Sequence, residues 1–420
     1  MINIYNFIRF LIYTSAISFF IPFGGKSISL CEIFVPIFSF FLLIQQRNIS
    51  LKYTKQELLF FVSSLSKIFT KNFITLLRIS SSVLFLTSIN HYKTNNKLIR
   101  VISNTFFNTL TLISSAALVN LLIGNVKWTG FLLSINLLPL NVIESSFNSW
   151  WNDENGIVSF FVTQNMLVQY VFLLYILLLI MNRMNILTRI KFRLATFYTI
   201  FLLFFSKTTL GSFGLLLIFL YYLKENLIQI IKSILDNFIK LKIRLSNLFL
   251  LSILGSFIFI FINYWKIINL QINSGLIFIK GLINMDLITV TYEVFDTSEF
   301  HRLKYAQLFL ENIDKCKLFG PSSFINITTY NPHNFYLNIA HLYGLAPLFL
   351  YLVFILLLFF NGLKNKYISE IYKLLSIYIF VAGFQGDLFG DTRAILPFVF
   401  IIFICRNNYS DIKEIKKINF

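Results

Sequence analysis

Four histidines serve a chain of 420 residues, and one of them stands where a titratable group could do work. His333 lies in Asn331-Pro332-His333-Asn334, at the close of a polar stretch, 265–332, and directly against a new apolar run. An imidazole at such an edge titrates near neutrality and can take a proton from an attacking hydroxyl. A histidine that only bonds a backbone carbonyl would leave the same trace. Arg302 stands in the same polar stretch beside His301 and Lys304. A guanidinium grips phosphate through two parallel hydrogen bonds and keeps its charge, although an exposed arginine on a polar helix face has the same sequence. Lys207 lies in Ser206-Lys207-Thr208-Thr209, a polar break between two short apolar runs, 194–205 and 210–222. A tight turn explains the serine and threonines but not the lysine. Such a break can set positive charge and a helix N-terminus beside an anion. Asp387, Asp391 and Arg393 crowd into seven residues, either as an internal ion pair or as support for an anion site. His341, inside an apolar run, reads as a packing residue.

These groups need a scaffold, and composition says which kind. The chain is 57% hydrophobic and 13% charged, with a mean hydropathy of +0.74, where a soluble chain carries roughly 25% charged residues. Several runs reach the ~18–20 apolar residues that cross a bilayer. The expectation is an all-α, polytopic transmembrane bundle, a single integral membrane domain over 1–420. The first span carries Arg9 and no small-x-small cleavage site, so it reads as a retained anchor. A net charge of +18 does not indicate nucleic acid, because the positive-inside rule accounts for the excess. Cys31, Cys316 and Cys405 lie far apart and give neither a disulfide framework nor a metal knuckle. There is no phosphate-binding glycine loop, no dinucleotide fingerprint and no zinc spacing. No cofactor and no metal are expected.

Clear apolar spans lie near 5–22, 29–46, 73–90, 100–123, 167–182, 194–205, 210–222, 247–264, 335–360, 371–386 and 393–405. Residues 57–70 form a weaker twelfth that contains Lys67. Parity decides in its favour. With twelve spans, the segments 47–57, 91–100, 183–193, 223–246, 361–373 and 406–420 share one side and hold 22 of the 36 Lys and Arg residues. That side is cytoplasmic, and both termini lie there. Two segments then face outward. Residues 124–166 carry Trp150-Trp151, an interfacial belt. Residues 265–332 form one large periplasmic loop with six basic and six acidic residues. Within it, Ser298 to Phe319 repeats apolar residues as an amphipathic helix would, ended by Gly320-Pro321.

Pro332-His333-Asn334, then nine residues, then Gly344 resembles the histidine motif of the O-antigen ligase and O-antigen polymerase superfamily. Arg302 followed by Lys317-Leu318-Phe319-Gly320 looks like the outer-loop segment of that family, and Ser206-Lys207-Thr208 like its turn between two mid-chain spans. The agreement in order and spacing covers roughly 195–360. Two departures stand out: Pro347 where ligase-type motifs carry a small residue or tyrosine, and lysine at 207 where many members use arginine. Both favour a polymerase over a ligase.

The resemblance implies a glycosyltransferase of the bacterial inner membrane, acting on the periplasmic face. A polymerase of this kind moves a glycan chain from undecaprenyl pyrophosphate to the nonreducing end of another lipid-linked repeat unit. His333 and Arg302 would be catalytic. Arg302, Lys207 and Arg393 would hold the pyrophosphate, with Asn334 and Asp391 in support. The implied partners are the lipid-linked oligosaccharide, the bilayer and a chain-length regulator. A ligase, with lipid A-core as acceptor, is the nearest rival. A lipid-linked oligosaccharide flippase would need charges along its spans and two similar halves. Arg9, Lys67 and Arg78 are the clear mid-span cations here, and no internal repeat is visible.

Overall fold

The computed structural model describes residues 4–23, 26–45, 85, 88–89, 96–139, 156–222, 312–320, 334–361, 366–384 and 392–407. Two compact units divide the chain: Met1–Leu217, Cys316–Ser323 and His333–Phe420 form one, Ile218–Lys315 and Phe324–Pro332 the other. In chain order the described helices are α1 (Ile4–Ala16), α2 (Leu30–Gln45), α3 (Asn96–Ile123), α4 (Asn125–Ser134), α5 (Gln164–Arg183), α6 (Arg189–Phe205) and α7 (Thr209–Tyr222). They continue as α8 (Phe335–Tyr343), α9 (Leu345–Asn361), α10 (Lys366–Gly383) and α11 (Thr392–Asn407). One antiparallel hairpin, β1 (Phe20–Phe23) with β2 (Lys26–Ser29), interrupts an otherwise all-α fold among the described residues. Of the second unit, the residues described outside α7 form a single 3-10 turn, Ile313–Lys315.

The first unit is built around α5. Its residues from Leu167 to Met181 are all buried. A helix apolar on every side belongs at the centre of a bundle, and α3, α6, α10 and α11 pack against it. Its polar groups are matched rather than excluded: the Tyr170 hydroxyl lies 2.7 Å from Ser15 Oγ of α1. Thr163 starts the helix by accepting from the Met166 amide. Among the described residues two helices, Lys97–Ile123 and Gln164–Arg183, are long and apolar enough to cross a membrane. Leu30–Ile44, Thr209–Tyr222, Leu345–Phe360 and Ile395–Cys405 are apolar but shorter.

Several expected boundaries move, each for a local reason. The first span stops at Ala16 rather than 22, because the antiparallel strands take up the chain from Phe20. Ser29 and Glu32 then open α2 reciprocally, the Ser29 amide donating to Glu32 Oε2 and the Glu32 amide to Ser29 Oγ. The outward segment after 123 holds an unforeseen helix, α4, beginning past Gly124 at φ 88°.

The expected span 335–360 is two helices, not one. A continuous helix would hold residues 335 and 351 about 24 Å apart. The rings of Phe335 and Tyr351 are 4.9 Å apart, so the chain folds back at Gly344, where φ is 106°. Pro347 falls in the first turn of α9, where no helical amide bond is lost. The amphipathic helix expected up to Phe319 does not extend over 316–320, whose backbone bonds elsewhere. The expected spans 57–70 and 247–264, the Trp150-Trp151 belt and most of 265–332 lie outside the described residues.

Candidate functional site

The construction begins at the break between α3 and α4. Asn120 Nδ2 donates to Asn125 Oδ1 at 2.7 Å, and Asn125 Nδ2 donates to the Gly156 carbonyl at 3.1 Å. Asn120 Oδ1 accepts from the amides of Val158 and Ser159 at 3.0 and 3.2 Å. Trp128 Nε1 donates to the Ser159 carbonyl at 2.6 Å. Two buried asparagines and a tryptophan therefore hold the loop 156–163, whose amides would otherwise be unmatched inside the fold.

That loop holds Lys207 on one flank. The Ile157 amide donates to the Phe205 carbonyl at 3.0 Å, and a methyl group at Gly156 would overlap the Ser206 carbonyl. Ser206 Oγ donates back to Leu203, and Thr208 Oγ1 accepts from the Gly211 amide at 2.9 Å, starting α7. Lys207 itself is exposed and left-handed, at φ 52°. This is the position after a helix that glycine usually takes. Lysine there costs about 1 kcal/mol or more in backbone strain, so the turn explains its neighbours and leaves its own identity to the side chain.

On the other flank the loop meets Arg393, in the first turn of α11 and 3% exposed. Its guanidinium lies 5.2 Å from the Phe161 ring centre and 5.5 Å from that of Phe20, and it donates to Met166 Sδ at 3.9 Å. Gly156 and Phe161 are five residues apart, at most ~18 Å along the chain. Lys207 and Arg393 are thus tied to opposite ends of one short, well-held loop.

Asn334 comes to the same end of the unit. Its Oδ1 accepts from the amides of Tyr336 and Leu337 at 3.0 and 3.2 Å and so caps α8. Tyr336 donates to the Phe380 carbonyl at 2.5 Å, and its ring lies 4.9 Å from that of Phe384, just past α10. Tyr378 of α10 stacks on Phe172 of α5 at 3.8 Å between ring centres, and the Tyr372 and Cys405 side chains are hydrogen-bonded, so α10 is antiparallel to α11. The end of α10 and the start of α11, hence Asn334 and Arg393, share one level of the bundle.

The two motif segments also meet. The Gly320 amide donates to the Tyr343 carbonyl at 2.8 Å, and the amides of Leu345 and Ala346 donate to Lys317 and Leu318 at 3.1 and 3.0 Å. Lys317-Leu318-Phe319-Gly320 is therefore laid across the Gly344 break. A Cβ at Gly344 would stand 2.5 Å from the Leu318 carbonyl oxygen, which is why that position is glycine. Of the expected site residues, Lys207, Arg393 and Asn334 are brought to one end. His333, Arg302 and Asp391 lie outside the described residues. Sequence reasoning passed over Phe161, Trp128, Asn120 and Asn125. The weak signal for them was two asparagines flanking Gly124 in an apolar stretch. No group of metal-ligating side chains occurs among the described residues.

The chain matches no family model, no curated protein and no solved structure.

Proposed function

We propose that this chain is a twelve-span membrane glycosyltransferase of the O-antigen polymerase type, extending a surface polysaccharide on undecaprenyl pyrophosphate at the periplasmic face. The observation that carries the reading is the docking of 317–320 onto the Gly344 break, at the end that also holds Lys207 and Arg393. Two of the three motifs behind the resemblance meet there, and nothing in their spacing forces it. Two further features favour a membrane setting. Lys97, Arg100, Arg183, Arg189, Lys191 and Arg193 gather at the opposite end, as on a cytoplasmic face. Large side chains such as Leu122, Phe197 and Phe349 are well exposed along the helices, as a surface facing lipid would be.

The reaction follows from the residues. A sugar hydroxyl on one lipid-linked repeat unit attacks the anomeric carbon of the donor chain. The bond from that carbon to the pyrophosphate breaks, and undecaprenyl pyrophosphate leaves with the electron pair. His333 takes the hydroxyl proton, while Arg302 and Lys207 neutralise the charge growing on the leaving group. Arg393, buried under two rings, adds a fixed positive field from beneath rather than a direct grip. The pyrophosphate link is already activated, so no nucleotide enters the step. A chain-length regulator is the protein partner this reading implies.

Deleting the gene and resolving the lipopolysaccharide on a gel is the test. Core bearing a single repeat unit supports polymerisation. Bare core with polymer still on undecaprenyl lipid would make it a ligase, and bare core with units trapped inside would make it a flippase. His333→Ala and Arg302→Ala should each abolish the ladder at matched protein level, and Arg302→Lys should do nearly as badly.

A further inference from the structure

A polar groove lies toward the far end of the first unit; by the rise of α3 its edges at Asn108 and Lys97 are about 18 and 35 Å from Asn120. Where α1 packs on α3, a cavity of about 520 Å³ is lined by Arg9 and Tyr13 from α1 and by Lys97, Arg100, Asn104 and Asn108 from α3. That volume suits a small ligand, since such sites span roughly 300–1,000 Å³. None of its described lining residues is acidic. The α3 residues recur at three- and four-residue steps, so they form one stripe about 16 Å long. Lys191 of α6 donates to Asn104 Oδ1 at 2.8 Å, bringing a fourth cation to the rim. With its oxygen engaged, Asn104 offers a ligand its N–H donors.

Preference for basic residues on a cytoplasmic face accounts for Lys97 and Arg100. It does not account for Arg9 or for a polar stripe running two turns up an apolar helix. Beyond Asn108 the surface of α3 turns apolar and exposed at Leu112, Val119 and Leu122, and Phe10 is exposed beside Arg9 on α1. Cations at the mouth, amide donors along the floor and a bare apolar wall beyond are the complement of an amphiphile with an anionic head.

We propose that this groove binds the phosphate headgroup of an anionic lipid, with the acyl chains laid along the exposed face of α3. The site is separate from the one described above, but it rests on the membrane reading. The experiment uses the full chain in detergent and native mass spectrometry, with dioleoylphosphatidylglycerol and dioleoylphosphatidylcholine as probes. Phosphatidylglycerol should be retained in preference. The triple variant Arg9→Gln, Lys97→Gln, Arg100→Gln should bind it about a hundredfold more weakly, at roughly fivefold per charge. A charge-matched triple at the same end, Arg189→Gln, Arg193→Gln, Lys373→Gln, should bind it unchanged. Asn108→Leu, which keeps every charge and fills the groove, should lose about tenfold and guards against misfolding of the triple variant.

Equal retention of the two lipids, or equal loss in both triple variants, would overturn the site. Displacement by inorganic pyrophosphate at the concentration of the lipid would also overturn it, by showing a free-anion site. Failure of the membrane reading shows separately, as release of the chain from bacterial membranes by alkaline carbonate.

Discussion

Gly344→Ala attacks the point where the two motif segments meet. The native backbone at 344 has φ 106° and ψ 174°, a region open in practice to glycine alone. Alanine there costs on the order of 1–3 kcal/mol in strain. Its methyl also stands 2.5 Å from the Leu318 oxygen, a contact relieved only by moving segment 317–320 away. Three backbone hydrogen bonds hold that segment. At about 1 kcal/mol net each, they keep it closed in all but roughly one molecule in 150. The substitution removes most of that margin and brings the open form to near half. Cys316, half-buried beside the segment, reports it: with Cys31 and Cys405 replaced by alanine, its maleimide labelling rate should rise as the segment opens. Gly130→Ala, where a methyl meets nothing within 4 Å, is the control and should label like the parent. An unchanged Cys316 rate in Gly344→Ala would refute the latch, and a normal polysaccharide ladder in the same variant would separate the latch from activity.

Asn120→Ala leaves the buried amides of Val158 and Ser159 without their acceptor. It should lower stability by about 2–6 kcal/mol, at 1–3 for each amide, seen as a sharply lower melting temperature in detergent. Asn334→Ala should cost about 1 kcal/mol through the lost cap, while Asn334→Asp should recover it, measured by the same melts. Lys207→Gly relieves left-handed strain and should melt at the parent temperature or a few degrees above it. On the proposed function it should nonetheless abolish chain extension, and a normal ladder would remove Lys207 from the proposed pyrophosphate site.

Some of this molecule was legible one residue at a time. Apolar runs longer than a helix turn can leave in water, bounded by lysine and arginine, dictated helices, and α3, α5, α10 and α11 fall near the expected places. The polar break at Ser206-Lys207-Thr208 was visible because lysine has no local reason to be there. What hydropathy averages could not show was reversal within an apolar run. Nothing in the burial preference of Phe335 to Asn361 distinguishes one long helix from two folded together, and the difference lies in the backbone of a single glycine whose φ is positive.

The site followed the same division. Residue types nominated Lys207 and Arg393, but a charge says nothing of its neighbours across sequence. Only the tertiary fold decided that Arg393 is enclosed by Phe161, Phe20 and Met166, and that one loop held by Asn120 and Asn125 reaches it and the turn of Lys207 alike. Helix formation is a matter of neighbouring residues and the solvent they prefer. Convergence depends on which buried backbone groups find partners 30 to 40 residues away, and that choice is made only when the whole bundle packs.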